Sequence, residues 1–266
     1  MPVSALPKPT LARTVRGIGP GLVLAHGAGG SIADNYGPIL DGLAAGHTVV
    51  GVDWPGTGGS PRSDAPLDAD ELADQLIAAA DAEGLDSFAL AGFSLGGPVA
   101  IRAAARHPGR ISALILTATF AYRDARLDLA AQVWADLYAS KNTELLARFL
   151  SLVAFSTDAL RATDPEALAA GIKALAEAIP PGTPEHVDLV RRIDVREDLA
   201  RITAPTLVIS TSADPLLSPH LHRELAQQIP GARMAELATG HLPFAEKPEQ
   251  WLALMTDFLA APESRA

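Results

Sequence analysis

Three short, largely apolar runs lie early in the chain, at residues 22–25, 48–52 and 88–91, each ending in glycine-rich or acidic positions. Runs of this length suit strands covered on both faces, where no polar face is needed. Residues 68–82 place Leu72, Leu76 and Ala79 or Ala80 at helical spacing behind acidic first-turn residues, which predicts a helix. The alanine-rich stretch 97–106 predicts another, stopping at His107-Pro108-Gly109 before a further apolar strand at 111–116.

The strand signal then vanishes. From about 120 to 201 only helical periodicity remains, as in Ala130, Val133, Trp134 and Leu137, or Leu145, Phe149 and Leu152. Alternation resumes with a strand at 206–210, a helix at 219–228, a weaker strand at 233–237 and a last helix carrying Trp251, Leu252, Met255, Phe258 and Leu259. This order predicts an α/β fold with a mostly parallel central sheet flanked by helices. The core would comprise 1–119 and 204–266, with a helical insertion at 120–203 that Pro180-Pro181-Gly182-Thr183-Pro184 divides in two.

Composition narrows the function classes. With 266 residues, 48% of them apolar, the chain can bury one full core. Acids outnumber bases 31 to 21, for a net charge of -10, which argues against a nucleic-acid surface. There is no cysteine, so disulfides, thiolate metal sites and a cysteine nucleophile are excluded. The first residues, MPVSALPKPTLARTVRG, hold no apolar run long enough for a signal-peptide core, and no stretch approaches ~18 apolar residues. The expectation is a soluble, cytoplasmic protein binding neither nucleic acid nor membrane, with homo-oligomerisation left open.

The strongest chemical signal is Gly92-Phe93-Ser94-Leu95-Gly96-Gly97, which follows a strand and opens a helix. A tight strand-to-helix turn exposes the serine in strained backbone geometry, so positions two before and two after it must lack side chains. The helix start directs backbone N–H groups toward a developing oxyanion. A second glycine-rich loop, His26-Gly27-Ala28-Gly29-Gly30, follows the first strand.

HGAGG, then DWPGTGGS from Asp53 to Ser60, then GFSLGG, resembles the α/β-hydrolase family in its chain order, over nearly all of the chain from Gly21 to Leu259. The resemblance implies backbone oxyanion donors at Ala28 and Leu95, with Gly29 a substitute for Ala28. His26 is read as a support for its loop, and the Asp53 to Ser60 turn as shaping the pocket.

A serine hydroxyl needs a base with a pKa near working pH and a group that fixes the base's tautomer. Of the seven histidines only His241 lies in a short loop between the last strand and the final helix, matching the family's G-H pattern. Asp214 stands at the C-terminal edge of the strand before it, where open α/β sheets hold their sites. The order Ser94, Asp214, His241 is that of the α/β hydrolases. Asp124 is the rival acid, since some family members carry it after the preceding strand. His220 and His222, two apart on a helix, face different ways and make no metal pair. Neither metal nor cofactor is expected.

The insertion falls where the family places its cap. Six of the chain's thirteen aromatics lie in it, Phe120, Tyr122, Trp134, Tyr138, Phe149 and Phe155, which favours an apolar substrate wall. Phe120, Trp134, Tyr138 and Gly29 are the candidate substrate contacts. The expected activity is serine hydrolysis of an acyl bond in a small apolar substrate, a carboxylic ester first, with lactones and thioesters next. Carbon–carbon bond hydrolysis, cofactor-free haloperoxidase or perhydrolase activity, and a non-catalytic ligand receptor stay open on the same scaffold.

Overall fold

The computed structural model describes residues 11–261. The outer ends of the expected core, and most of the N-terminal stretch read above for a leader, lie outside the described residues. One sheet contains β1 (Arg13–Arg16), β2 (Gly21–Ala25), β3 (Thr48–Val52), β4 (Phe88–Phe93), β5 (Ile111–Thr117), β6 (Thr206–Thr211) and β7 (Arg233–Leu237). The strands lie in the order β1-β3-β2-β4-β5-β6-β7. All neighbours are parallel except β1, which pairs antiparallel with β3.

Three helices, α1 (Ile32–Ala44), α2 (Ala69–Ala82) and α3 (Gly96–Arg106), alternate with the first strands. Between β5 and β6 lie α4 (Ala125–Ala139), α5 (Thr143–Ala154), α6 (Thr157–Ala162), α7 (Pro165–Ala178), α8 (Thr183–Arg192) and α9 (Arg196–Leu199). The chain then forms α10 (Pro219–Gln228), α11 (Pro243–Glu246) and α12 (Pro248–Ala260). Among the described residues no helix is long and apolar enough to cross a membrane.

The apolar runs become strands because both faces of the sheet are covered, so every residue of β2, β4 and β6 is buried. Side chains alternate between two cores. Val23, Val50, Leu90, Leu114 and Val208 pack with α2 and α3 on one face. Leu22, Val49, Ala91, Ile115 and Ile209 pack with α1 and α12 on the other.

The chain leaves β2 toward β3 on one side, then returns to place β4 on the other. At such a switch point the loops beyond adjacent strand ends are held together above the sheet. This topology sets the loop after β2, which carries Ala28, beside the turn after β4, which carries Ser94.

Candidate active site

The turn after β4 is built by backbone packing. Ser94 has φ +50, the left-handed region that side-chain-bearing residues avoid. A Cβ on Gly92 would stand 2.5 Å from the Gly96 carbonyl oxygen, and one on Gly96 would stand 2.1 Å from that of Ala25. Both positions therefore require glycine. The Ser94 backbone donates to the Thr117 carbonyl at 3.1 Å, and its own carbonyl accepts from Thr119 Oγ1 at 2.6 Å. Cross-strand bonds thus hold the strained residue in place.

Ser94, His241 and Asp214 come together from three loops at the same sheet edge. Ser94 Oγ and His241 Nε2 are 2.9 Å apart, and His241 Nδ1 and Asp214 Oδ2 are 2.8 Å apart. With Nδ1 protonated, Nδ1–H donates to the carboxylate and Nε2 accepts the serine proton. The Asp214 side chain is fully buried and His241 is 6% exposed. Asp214 Oδ1 accepts from the N–H groups of Leu216 and Leu217, both at 2.8 Å, and Oδ2 accepts from Thr211 Oγ1 at 2.9 Å. A buried carboxylate with this many donors is fixed in direction. The Phe93 ring lies 5.3 Å from the imidazole, centroid to centroid, and limits its rotation.

Asp124, the rival acid, is elsewhere engaged. Its Oδ1 accepts from Leu127 N–H at 2.8 Å, capping α4, and its Oδ2 lies 3.7 Å from His220 Nε2. His222 is buried apart from His220 and shares a 3.1 Å hydrogen bond with Ser210 through Nδ1.

The backbone N–H groups of Ala28 and Leu95 have no protein acceptor among the described residues, and Ala28 lines the same cavity as Ser94. Gly29 differs: its N–H donates to His186 Nδ1 at 3.1 Å, so it is not a spare oxyanion donor in place of Ala28. His186 in turn donates from Nε2 to the Pro55 carbonyl at 3.0 Å. Burial lowers its pKa to about 4 and keeps it neutral, able to accept at one nitrogen and donate at the other. The loop is further anchored by Asn35, whose Oδ1 accepts from Gly27 N–H at 2.9 Å.

His26 is buried beneath this loop. Its Nε2 accepts from Trp54 N–H at 2.9 Å and its Nδ1 donates to the Gly27 carbonyl at 2.8 Å. Burial, with His186 nearby, lowers its pKa to about 3. The Asp53 to Ser60 turn is tied to the same loop, since Asp53 Oδ1 accepts from Ile32 N–H at 2.9 Å.

Ser94 and His241 open onto a cavity of about 260 Å³. Gly29, Phe120 and Trp134 are in its wall, together with Phe149, Leu150 and Phe244. Tyr138 is not. Residues 127, 130, 131 and 134 of α4 face the cavity, but the next turn passes beyond its edge, and the Tyr138 hydroxyl points to the Pro181 carbonyl at 3.5 Å. Among the described lining residues there is no Lys or Arg, and Asp34 is the one carboxylate.

A strained serine at a strand-to-helix turn, within hydrogen-bond reach of a buried histidine and carboxylate above a mostly parallel sheet, defines a hydrolase-class enzyme of the α/β type. The chain belongs to the alpha/beta hydrolase fold family, whose model matches residues 20–248. It is 35% identical to the pyrrolizixenacetamide deacetylase of Xenorhabdus hominickii over 251 residues, 94% of each chain. It is 31% identical to the pimeloyl-[acyl-carrier protein] methyl ester esterase of Aromatoleum aromaticum over 253 residues, covering 90% of this chain and 97% of that one. Among solved structures, the enol-lactonase from Burkholderia xenovorans LB400 matches with a TM-score of 0.84 and 25% identity, covering 94% and 96% of the two chains.

His186 and Asn35 were not legible as site residues. Their partners lie 157 and 8 positions away, and no motif links His186 to Gly29.

Proposed function

We propose that this chain is a serine hydrolase that cleaves an acyl bond, a carboxylic ester foremost, through an acyl-enzyme on Ser94. The observation that carries this reading is the continuous hydrogen-bonded line from Ser94 Oγ through His241 to buried Asp214, ending at an apolar cavity.

In the proposed cycle, His241 Nε2 takes the Ser94 proton as Oγ attacks the carbonyl carbon, and Asp214 stabilises the imidazolium that forms. The N–H groups of Ala28 and Leu95 hold the oxyanion, each worth about 100- to 1,000-fold in rate. His241 then protonates the leaving group, and a water activated by the same nitrogen releases the acid.

Helices of segment 120–203 serve as the cap in this reading and set the acyl group that fits. A wall without cations leaves a carboxylate-bearing acyl chain desolvated and unpaired, so the substrate's acyl part is uncharged. A second reading, hydrolysis of an N-acyl amide, is favoured by the 35% identity to a protein named as a deacetylase. The test is turnover of matched chromogenic esters, lactones, thioesters and acetanilides by wild type and Ser94→Ala. Ester turnover that disappears in Ser94→Ala supports the reading, and turnover that persists in the variant defeats it.

A further inference from the structure

The loop that carries His241 is tied to the roof of the cavity through one carboxylate, that of Glu246. Glu246 ends α11, one helical turn beyond the histidine. Its Oε1 accepts from Gly240 N–H at 3.1 Å and from Ser156 N–H at 2.8 Å. Its Oε2 accepts from Ser156 Oγ at 2.7 Å. Ser156 caps α6, and its hydroxyl also accepts from Ala159 N–H at 3.1 Å. Alongside this, His241 N–H donates to the Ala154 carbonyl at the end of α5, at 2.6 Å.

Residues 154–156 and 240–241 are therefore laced together by four hydrogen bonds, three of them to Glu246. The fit is close. A Cβ on Gly240 would lie 2.3 Å from Ser156 N, 2.5 Å from the Ala154 oxygen and 2.7 Å from Glu246 Oε1. This contact gives the glycine before His241 a physical reason. Between the two laced roof residues stands Phe155, which lines the cavity.

We infer that Glu246 is a positioning residue that couples the cavity roof to the general base, an inference that rests on the catalytic reading of Ser94 and His241. It touches neither Ser94 nor the imidazole ring. It fixes the backbone from which His241 projects, and it ties that backbone to the segment that carries Phe155. Pressure of an acyl group on the roof is thereby transmitted to the histidine's placement over Ser94. The coupling does not depend on an ion pair, because all three donors are uncharged. An amide oxygen can accept the same two N–H bonds, and the Ser156 hydroxyl can turn to accept from the amide nitrogen.

The experiment compares wild type, Glu246→Ala, Glu246→Gln and Ser94→Ala on one chromogenic ester, with thermal unfolding of each. Removing the acceptor frees the loop, and misplacement of a base by about 1 Å costs up to about 100-fold, so Glu246→Ala is expected to lose about 10- to 100-fold in kcat with KM changed less than about 3-fold. Glu246→Gln is expected to recover most of that kcat. If Glu246→Ala does not fold, Glu246→Asp, one methylene short of Gly240 and Ser156, carries the same expectation. A Glu246→Ala or Glu246→Asp variant that folds and keeps wild-type kcat overturns the inference, as does a Gln variant no better than the Ala variant. If Ser94→Ala retains turnover, the catalytic reading fails instead, which separates the two.

Discussion

His186 Nδ1 accepts the Gly29 N–H at 3.1 Å, so a helix of the segment between β5 and β6 grips the glycine loop next to Ser94. The other ring nitrogen grips Pro55 at 3.0 Å, and the ring is fully buried. His186→Ala leaves the Gly29 N–H and the Pro55 carbonyl without their partner. Stability is expected to fall by about 1–3 kcal/mol in urea unfolding. Turnover is expected to fall by about 10-fold as the loop carrying Ala28 loosens. Unchanged turnover in a destabilised variant would make the contact purely structural.

Stability should depend on acid in a defined window. His26, His186 and His222 are held neutral by burial, with pKa values lowered to about 3, about 4 and about 4. In the unfolded chain each takes up a proton near pH 6.5, while the folded chain resists until about 3 to 4. Between those limits the unfolded state binds more protons, so stability falls as pH falls. Each histidine contributes up to about 1.4 kcal/mol per pH unit. Urea midpoints at pH 7.5, 6 and 5 should decline below about pH 6.5 and show little contribution from these groups above it. Replacing His186 by Asn should flatten the decline. A midpoint independent of pH from 7.5 to 5 would contradict the burial assigned to these rings.

The cavity should discriminate by charge. Esters matched in acyl length, with and without a terminal carboxylate, should differ by at least about 100-fold in kcat/KM, because the wall offers the anion no cation and buries it unpaired. Equal turnover of both would mean that the acyl chain lies outside the cavity.

Asp214→Asn and Asp124→Asn separate the two candidate acids. The Asp214→Asn change would disturb the tautomer of His241, and kcat is expected to fall about 1,000- to 10,000-fold. In the Asp124→Asn variant the new side chain still caps α4, so turnover should stay within about 2-fold of wild type. A large fall confined to the second variant would reverse the assignment.

Much of this architecture could be read from the chain because buried parallel strands need continuous apolar runs, and β3, α10 and β7 have the expected bounds. β1 could not be read so. Arg13-Thr14-Val15-Arg16 carries no apolar run and is held by backbone pairing with β3 at the sheet edge. β4 extends two residues past its expected end because Gly92 and Phe93 still pair with Leu116 and Thr117 before the turn at Ser94.

At the site, Ser94, Asp214 and His241 each stand at a strand end, where local pattern is informative. Glu246 and His186 act through contacts with Ser156 and Gly29, 90 and 157 positions away, and local pattern carries no trace of those pairings. The aromatic count of the insertion points to an apolar wall but not to the direction of each ring. Trp134 and Tyr138 share a helix face, yet only Trp134 reaches the cavity.

Everything proposed for the site depends on Ser94 being the nucleophile. This is tested most directly by reacting the protein with a fluorophosphonate and mapping the adduct by peptide mass spectrometry. One adduct per chain is expected, on Ser94, with loss of ester turnover in step with labelling and no adduct in Ser94→Ala. An adduct on another residue, or undiminished turnover after complete labelling of Ser94, would contradict that assignment.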